Sequence, residues 1–138
     1  MQYDSDNIYL DKKIPTQSGL GGGSSNAACT LNALNSILDL KISKSKLLQY
    51  ALEIGSDVPF FLAPGPKIGR GRGEQLTRVP SIGRVCAVIA VPPEGLSTAE
   101  VYRASNVPEV PRNIESVITA LRTGSLRQLK KTLHNRLE

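Results

Sequence analysis

The sequence contains no tryptophan, one histidine, two cysteines and only six aromatic residues in 138 positions. One His and two Cys argue against a structural zinc site. Cys29 and Cys86 are too few for a disulfide-dense secreted scaffold, and both read as buried apolar side chains. So few aromatics leave no stacking platform for single-stranded nucleic acid. Long hydrophobic runs are missing too. The longest, Val85 to Val91, has seven residues, far short of the ~20 that a membrane-spanning helix needs. The opening MQYDSDNIYL has neither the cationic nor the apolar region of a secretory signal.

What is present supports a folded chain. A hydrophobic fraction of 40% is enough for a packed core and excludes a wholly disordered chain. The length suits one domain or a piece of a larger protein. The net charge is +5, and its excess is local. Residues 111–138 hold six basic and two acidic side chains, whereas residues 1–110 are nearly balanced. That segment reads as the solvated face of a helix, so neither a nucleic-acid nor a membrane partner is expected.

Hydrophobic spacing predicts the elements. Ile8 to Ile14 alternates weakly and reads as a strand ended by Pro15. Asn26 to Asp39 places Ala27, Leu31, Leu34 and Leu38 on one helical face. Ser43 is the expected N-cap of a second helix, with Gly55 at its C-terminal end. GSDVPFFL then reads as a turn into an extended segment, and Gly69 to Glu74 as a loop or hairpin. Val85 to Val91 is expected to be a strand buried on both faces. A short helix through Ala104 follows. Two more, at 114–123 and 125–137, finish the chain, the last without a stop signal.

The strongest feature is PTQSGLGGGSS, Pro15 to Ser25. Its four glycines within five positions let the backbone take positive φ and approach a ligand closely. Successive N–H groups in such a turn form an anion nest, and the following helix directs its positive end to the same place. These parts describe a phosphate cradle made of Pro15, Thr16, Gln17, Ser18, Gly19, Leu20, Gly21, Gly22, Gly23, Ser24 and Ser25. The G-x-x-x-x-G-K-[ST] pattern fails, because Ser24 and Ser25 stand where Gly and Lys are required. A dinucleotide fingerprint survives weakly, with Asp39 as its acidic residue.

Beyond the loop, an ordered set of motifs resembles the GHMP small-molecule kinases. Pro15-x-x-x-Gly19-Leu20-Gly21-Gly22-Gly23-Ser24-Ser25 is similar to their ATP loop. Gly55-Ser56-Asp57-Val58-Pro59-Phe60-Phe61 resembles the segment that holds their catalytic aspartate. Gly71-Arg72-Gly73-Glu74, Ser97-Thr98-Ala99-Glu100-Val101-Tyr102 and Asn135-x-Leu137-Glu138 match later motifs in the right order. Arg136 departs from the pattern, standing where the family has Asp. The triple glycine followed by Ser-Ser points to the member that phosphorylates the 2-hydroxyl of a cytidine-diphosphate-linked methylerythritol, on a route to isoprenoid precursors.

The resemblance implies an α+β fold: part of a ribosomal protein S5 domain 2-like N-terminal half over residues 1–84, then the start of a C-terminal α/β domain over 85–138. The chain is expected to be the middle of a protein about twice as long, lacking a lysine-bearing first strand and a closing glycine-rich loop. ATP and Mg²⁺ are the implied cofactors, and a small molecule the implied partner. Asp57 is the implied catalytic residue, orienting or accepting the proton of the substrate hydroxyl, and Ser25 the implied metal contact. The residues alone place Asp57 in a partly buried turn. Two other readings stay open: a nucleotide-binding remnant without catalysis, and a Rossmann-type fragment. The implied location is a bacterial cytoplasm or a plastid.

Overall fold

The computed structural model describes residues 7–71, 73–79, 84, 86–91, 95, 97–105 and 113–135. Three consecutive helices form its centre: α1 (Gly22–Ile37), α2 (Lys44–Ile54) and α3 (Val58–Phe61). A hairpin follows, β1 (Lys67–Arg70) and β2 (Gln75–Arg78), and then α4 (Thr98–Ala104), α5 (Glu115–Thr123) and α6 (Leu126–Thr132). Helices with one small antiparallel sheet make an α+β architecture.

Helix α1 starts four residues before the expected Asn26. Ser25 N–H donates to the Gly21 carbonyl at 2.9 Å, so the helical ladder already begins in the glycines. Gly21 itself precedes the helix in a left-handed conformation, φ 68°, which glycine adopts without the Cβ clash other residues meet. At the far end, Asn35 turns the chain toward α2. Its side-chain amide donates to the Ile42 carbonyl at 3.3 Å, and its oxygen accepts from the Ile42 N–H at 2.9 Å. Ser43 then caps α2 as expected, its hydroxyl accepting from Lys46 N–H at 3.3 Å. Gly55 ends α2 in an extended conformation, φ 175°.

The segment after Asp57 is helical, not extended. Val58–Phe61 makes one turn, and Pro59 sits in it where its missing N–H costs nothing. Helices α1, α2 and α3 pack on one another. Ala28, Ala51 and Val58 are buried at their junction, ringed by Ala27, Leu31 and Leu62. Small side chains there let the helix backbones approach closely. Asn32 adds a tie from α1, its amide donating to the Leu62 carbonyl at 3.1 Å.

The hairpin expected between Gly69 and Glu74 is present. Lys67 pairs with Arg78, Ile68 with Thr77, Gly69 with Leu76 and Arg70 with Gln75. Further on, Gly124 and Ser125 join α5 to α6. Gly124, φ 66°, donates to the Leu121 carbonyl, and Ser125 N–H donates to Ala120. This is a Schellman closure of α5. The Ser125 hydroxyl then accepts from Gln128 N–H and caps α6.

Four expectations need correction. Residues 8–14 form no strand. Tyr9 is fully open to solvent, and Ile14 turns its side chain onto Gly22. Residues 86–91 form no strand either, and Val88, Ile89 and Val91 are 100%, 63% and 48% exposed. A run buried on both faces needs neighbours on both, and the described residues supply none. Val85 lies outside the described residues. Cys29 and Cys86 are exposed, not buried. On α1 it is Ala28 that faces the core, so Cys29 points away. Finally, α6 stops at Thr132, with Leu133 already extended. Positions 136–138, which carry most of the last family motif, lie outside the described residues, as does Arg72.

Candidate active site

The glycine loop bends by alternating left-handed residues: Gln17 (φ 56°), Gly19 (φ 70°) and Gly21 (φ 68°). The Ser18 hydroxyl donates to the Pro15 carbonyl at 2.8 Å and closes the first part of the bend. The loop then feeds the start of α1. No side chain caps that end, and its first turn carries no acidic residue. The N–H groups of Gly22, Gly23 and Ser24 therefore have no acceptor within the helix. They stand at the positive end of the helix dipole. Lys12 adds positive charge, its Nζ lying 3.5 Å from where a Cβ on Gly22 would be.

Asp57 lies in the three-residue connection, Gly55 to Asp57, between α2 and α3. It immediately precedes α3, yet its side chain makes no capping hydrogen bond. The residue is exposed rather than partly buried, because α3 folds away beneath it and carries Val58 and Pro59 inward. No ion pair or hydrogen bond engages its carboxylate among the described residues.

Four segments converge around one cavity of about 520 Å³. Gly19, Leu20 and Gly21 come from the glycine loop, Ser56 and Asp57 from the turn, and Phe60 and Phe61 from α3. Gly69, Gly73 and Leu76 come from the hairpin. The structure thus brings Gly19, Leu20, Gly21 and Asp57 together. Pro15, Thr16, Gln17 and Ser18 lie before the cavity wall. Gly22, Gly23, Ser24 and Ser25 lie behind it, in the first turn of α1. The Ser25 hydroxyl donates to the Gly22 carbonyl at 3.0 Å, leaving its oxygen lone pairs as acceptors.

Ser56, Phe60, Phe61, Gly69 and Leu76 were not legible as site residues. The only sequence signal was the Phe-Phe pair at a fixed offset after Asp57. The two rings meet edge to face, with centroids 5.4 Å apart. Phe61 lies over the loop: a Cβ on Gly21 would come within 2.7 Å of its Cζ. Below the cavity, Lys67 binds the C-terminal side of α3. Its ammonium donates to the carbonyls of Phe60 (2.8 Å), Ala63 and Gly65 (3.2 Å) and lies 4.8 Å from the Phe60 ring centroid. Burial, and secondly the charge of Arg78, lowers the Lys67 pKa from its ordinary value of 10.5.

The dinucleotide reading loses its support here. Asp39 follows the far end of α1, ~24 Å from the loop by helical rise, and pairs with Lys41 at 3.3 Å. The described residues contain no cluster of three or more His, Cys, Asp or Glu that could hold a metal alone. No helix among them is long and apolar enough to cross a membrane.

Residues 3–65 match the sequence profile of the GHMP kinases N terminal domain. Over 134 residues the chain is 42% identical to the 4-diphosphocytidyl-2-C-methyl-D-erythritol kinase of Alkaliphilus metalliredigens, covering 96% of this chain and 46% of that protein. It is 46% identical over 99 residues to the enzyme of the same name from Protochlamydia amoebophila, covering 72% of this chain and 34% of the relative. A crystal structure of 4-(cytidine 5'-diphospho)-2C-methyl-D-erythritol kinase covers 83% of this chain and 42% of its own, with a TM-score of 0.61 and 34% identity. The chain therefore spans about half the length of the curated relatives it matches.

Proposed function

We propose that this chain belongs to the GHMP kinase family and carries the phosphate loop and the proton-accepting aspartate of an ATP-dependent small-molecule kinase. The proposed reaction moves the γ-phosphoryl group of ATP to the 2-hydroxyl of 4-diphosphocytidyl-2-C-methyl-D-erythritol. The observation that carries this reading is the shared cavity, in which Gly19 to Gly21 face Asp57. A phosphate cradle and an uncommitted carboxylate on one cavity are the two parts that phosphoryl transfer asks of a protein: positioning and charge stabilisation.

The roles follow from the groups present. Backbone N–H groups of residues 19–24 hold the phosphates, and the dipole of α1 favours their charge. Asp57 orients the acceptor hydroxyl and takes its proton. Mg²⁺ neutralises charge on the phosphate oxygens when bound. With no carboxylate cluster among the described residues to hold it, it would keep waters and take few protein ligands, the Ser25 Oγ among them. We assign residues 1–84 to the N-terminal nucleotide-binding domain and 85–138 to the start of the second domain. The relatives named above are bacterial proteins, and a bacterial cytoplasm is the proposed location.

The test is phosphoryl transfer from ATP to that substrate, followed by ³¹P NMR, with the chain and with Asp57→Asn. We expect kcat to fall ~10²- to 10⁴-fold in the variant while ATP still binds. Asp57→Asn with wild-type turnover would remove Asp57 from the reaction. ATP-protected amides at residues 19–25 without any turnover would leave nucleotide binding and retire the catalytic reading for this chain.

A further inference from the structure

Asp57 owes its place to a turn that touches the hairpin. Ser56 immediately precedes it, and a Cβ added to Gly73 would stand 2.6 Å from the Ser56 carbonyl oxygen. Real Cβ atoms do not approach oxygen so closely, so the two backbones meet there only because residue 73 has no side chain. The hairpin is a firm support. Its four-pair ladder is continued by the Gly73 N–H donating to the Arg70 carbonyl at 3.1 Å, and the Glu74 side chain folds over Gly71. Across the cavity, Phe61 rests on Gly21. The Asp57 turn is thus gripped between the hairpin and the glycine loop.

We propose that the hairpin end carrying Gly71, Gly73 and Glu74 is a positioning element for Asp57, with Gly73 as its contact residue, so that hairpin geometry sets how the carboxylate faces the phosphate loop. This rests on the kinase reading above and adds the part that aligns its base. Gly73 touches neither reacting atom; it acts through Ser56.

The test uses Gly73→Ala beside a control, Gly65→Ala. Gly65 also has positive φ, 93°, but a Cβ there meets nothing within 4 Å. Both variants carry backbone strain, and only Gly73→Ala pushes on Ser56. A displacement of several tenths of an ångström at the base predicts a kcat lower by about tenfold or more for Gly73→Ala, since ~1 Å of misplacement can cost ~100-fold. The KM for ATP stays within about twofold, because the loop is untouched, and Gly65→Ala keeps wild-type kcat. Equal losses in the two variants, or no loss in Gly73→Ala, would overturn the proposal.

Hydrogen exchange separates its failure from failure of the kinase reading. In Gly73→Ala the amides of residues 55–61 should exchange faster than in wild type, those of α1 and α2 should not, and Gly65→Ala should leave all three unchanged. This result stands even if the wild-type chain has no turnover, in which case only the kinase reading fails. Unchanged exchange at 55–61 would refute the clamp. If Gly73→Ala does not fold, wild-type exchange in low denaturant decides. The Val58 amide should open together with hairpin amides 69–78 as one unit, and opening in a separate, earlier unit would refute the clamp.

Discussion

Lys67 shows what one residue can settle below the cavity. Its ammonium satisfies three carbonyls around the end of α3, a favourable place for a cation. Burial works against that charge and lowers the pKa. The sign follows. Because the folded chain releases this proton at lower pH than the unfolded chain, stability from this group rises with pH between the two values and is complete above the unfolded pKa. We expect the unfolding free energy of wild type minus that of Lys67→Met to grow as the pH rises toward the ordinary lysine value of 10.5, measured by urea denaturation. A shrinking difference would mean that the carbonyls outweigh burial. At this scale the sequence was partly readable. The glycine loop and Asp57 announce themselves by residue type and spacing. Lys67, Phe61 and the Gly73–Ser56 contact do not, because their meaning depends on partners brought up by the fold.

Among the elements, helices were legible where a cap and a periodic face agree. Ser43 and α2 are the clearest case, and Ser97 supplies the contrast. Ser43 accepts a hydrogen bond at the start of α2, whereas the Ser97 side chain makes none at the start of α4. Ser43→Ala should therefore cost about 1 kcal/mol and Ser97→Ala only a few tenths, read from urea midpoints. A comparable cost at both positions would mean that the cap geometry is not what holds α2. Strands were less legible. Ile8–Ile14 and Val85–Val91 have strand-like composition, but β pairing depends on neighbours that a local pattern does not contain. Val58–Phe61 is helical where the sequence predicts an extended segment for a related reason: a proline beside three bulky apolar residues suits an extended segment as well as a first helical turn.

For the whole molecule, the telling quantity is the size of the core. The buried hydrophobic residues among those described are Ala28, Leu47, Ala51, Val58 and Ala120, three of them alanines. Little apolar area leaves water there, while residues 86–91 and Tyr9 stay exposed. Such a balance gives marginal stability. We expect thermal unfolding of the chain, followed by circular dichroism, to have its midpoint below about 60 °C; a sharp cooperative transition above that would contradict the small core. The cavity is less demanding than the molecule around it. Every residue that lines it falls between Gly19 and Leu76, on segments that follow one another with short connections. Its assembly joins Gly21 to Phe61 and Ser56 to Gly73, and the entropy cost of closing such loops grows only logarithmically with their length. During synthesis from the N-terminus, the last third of the chain is not needed for the loop, the aspartate turn and the hairpin to find one another.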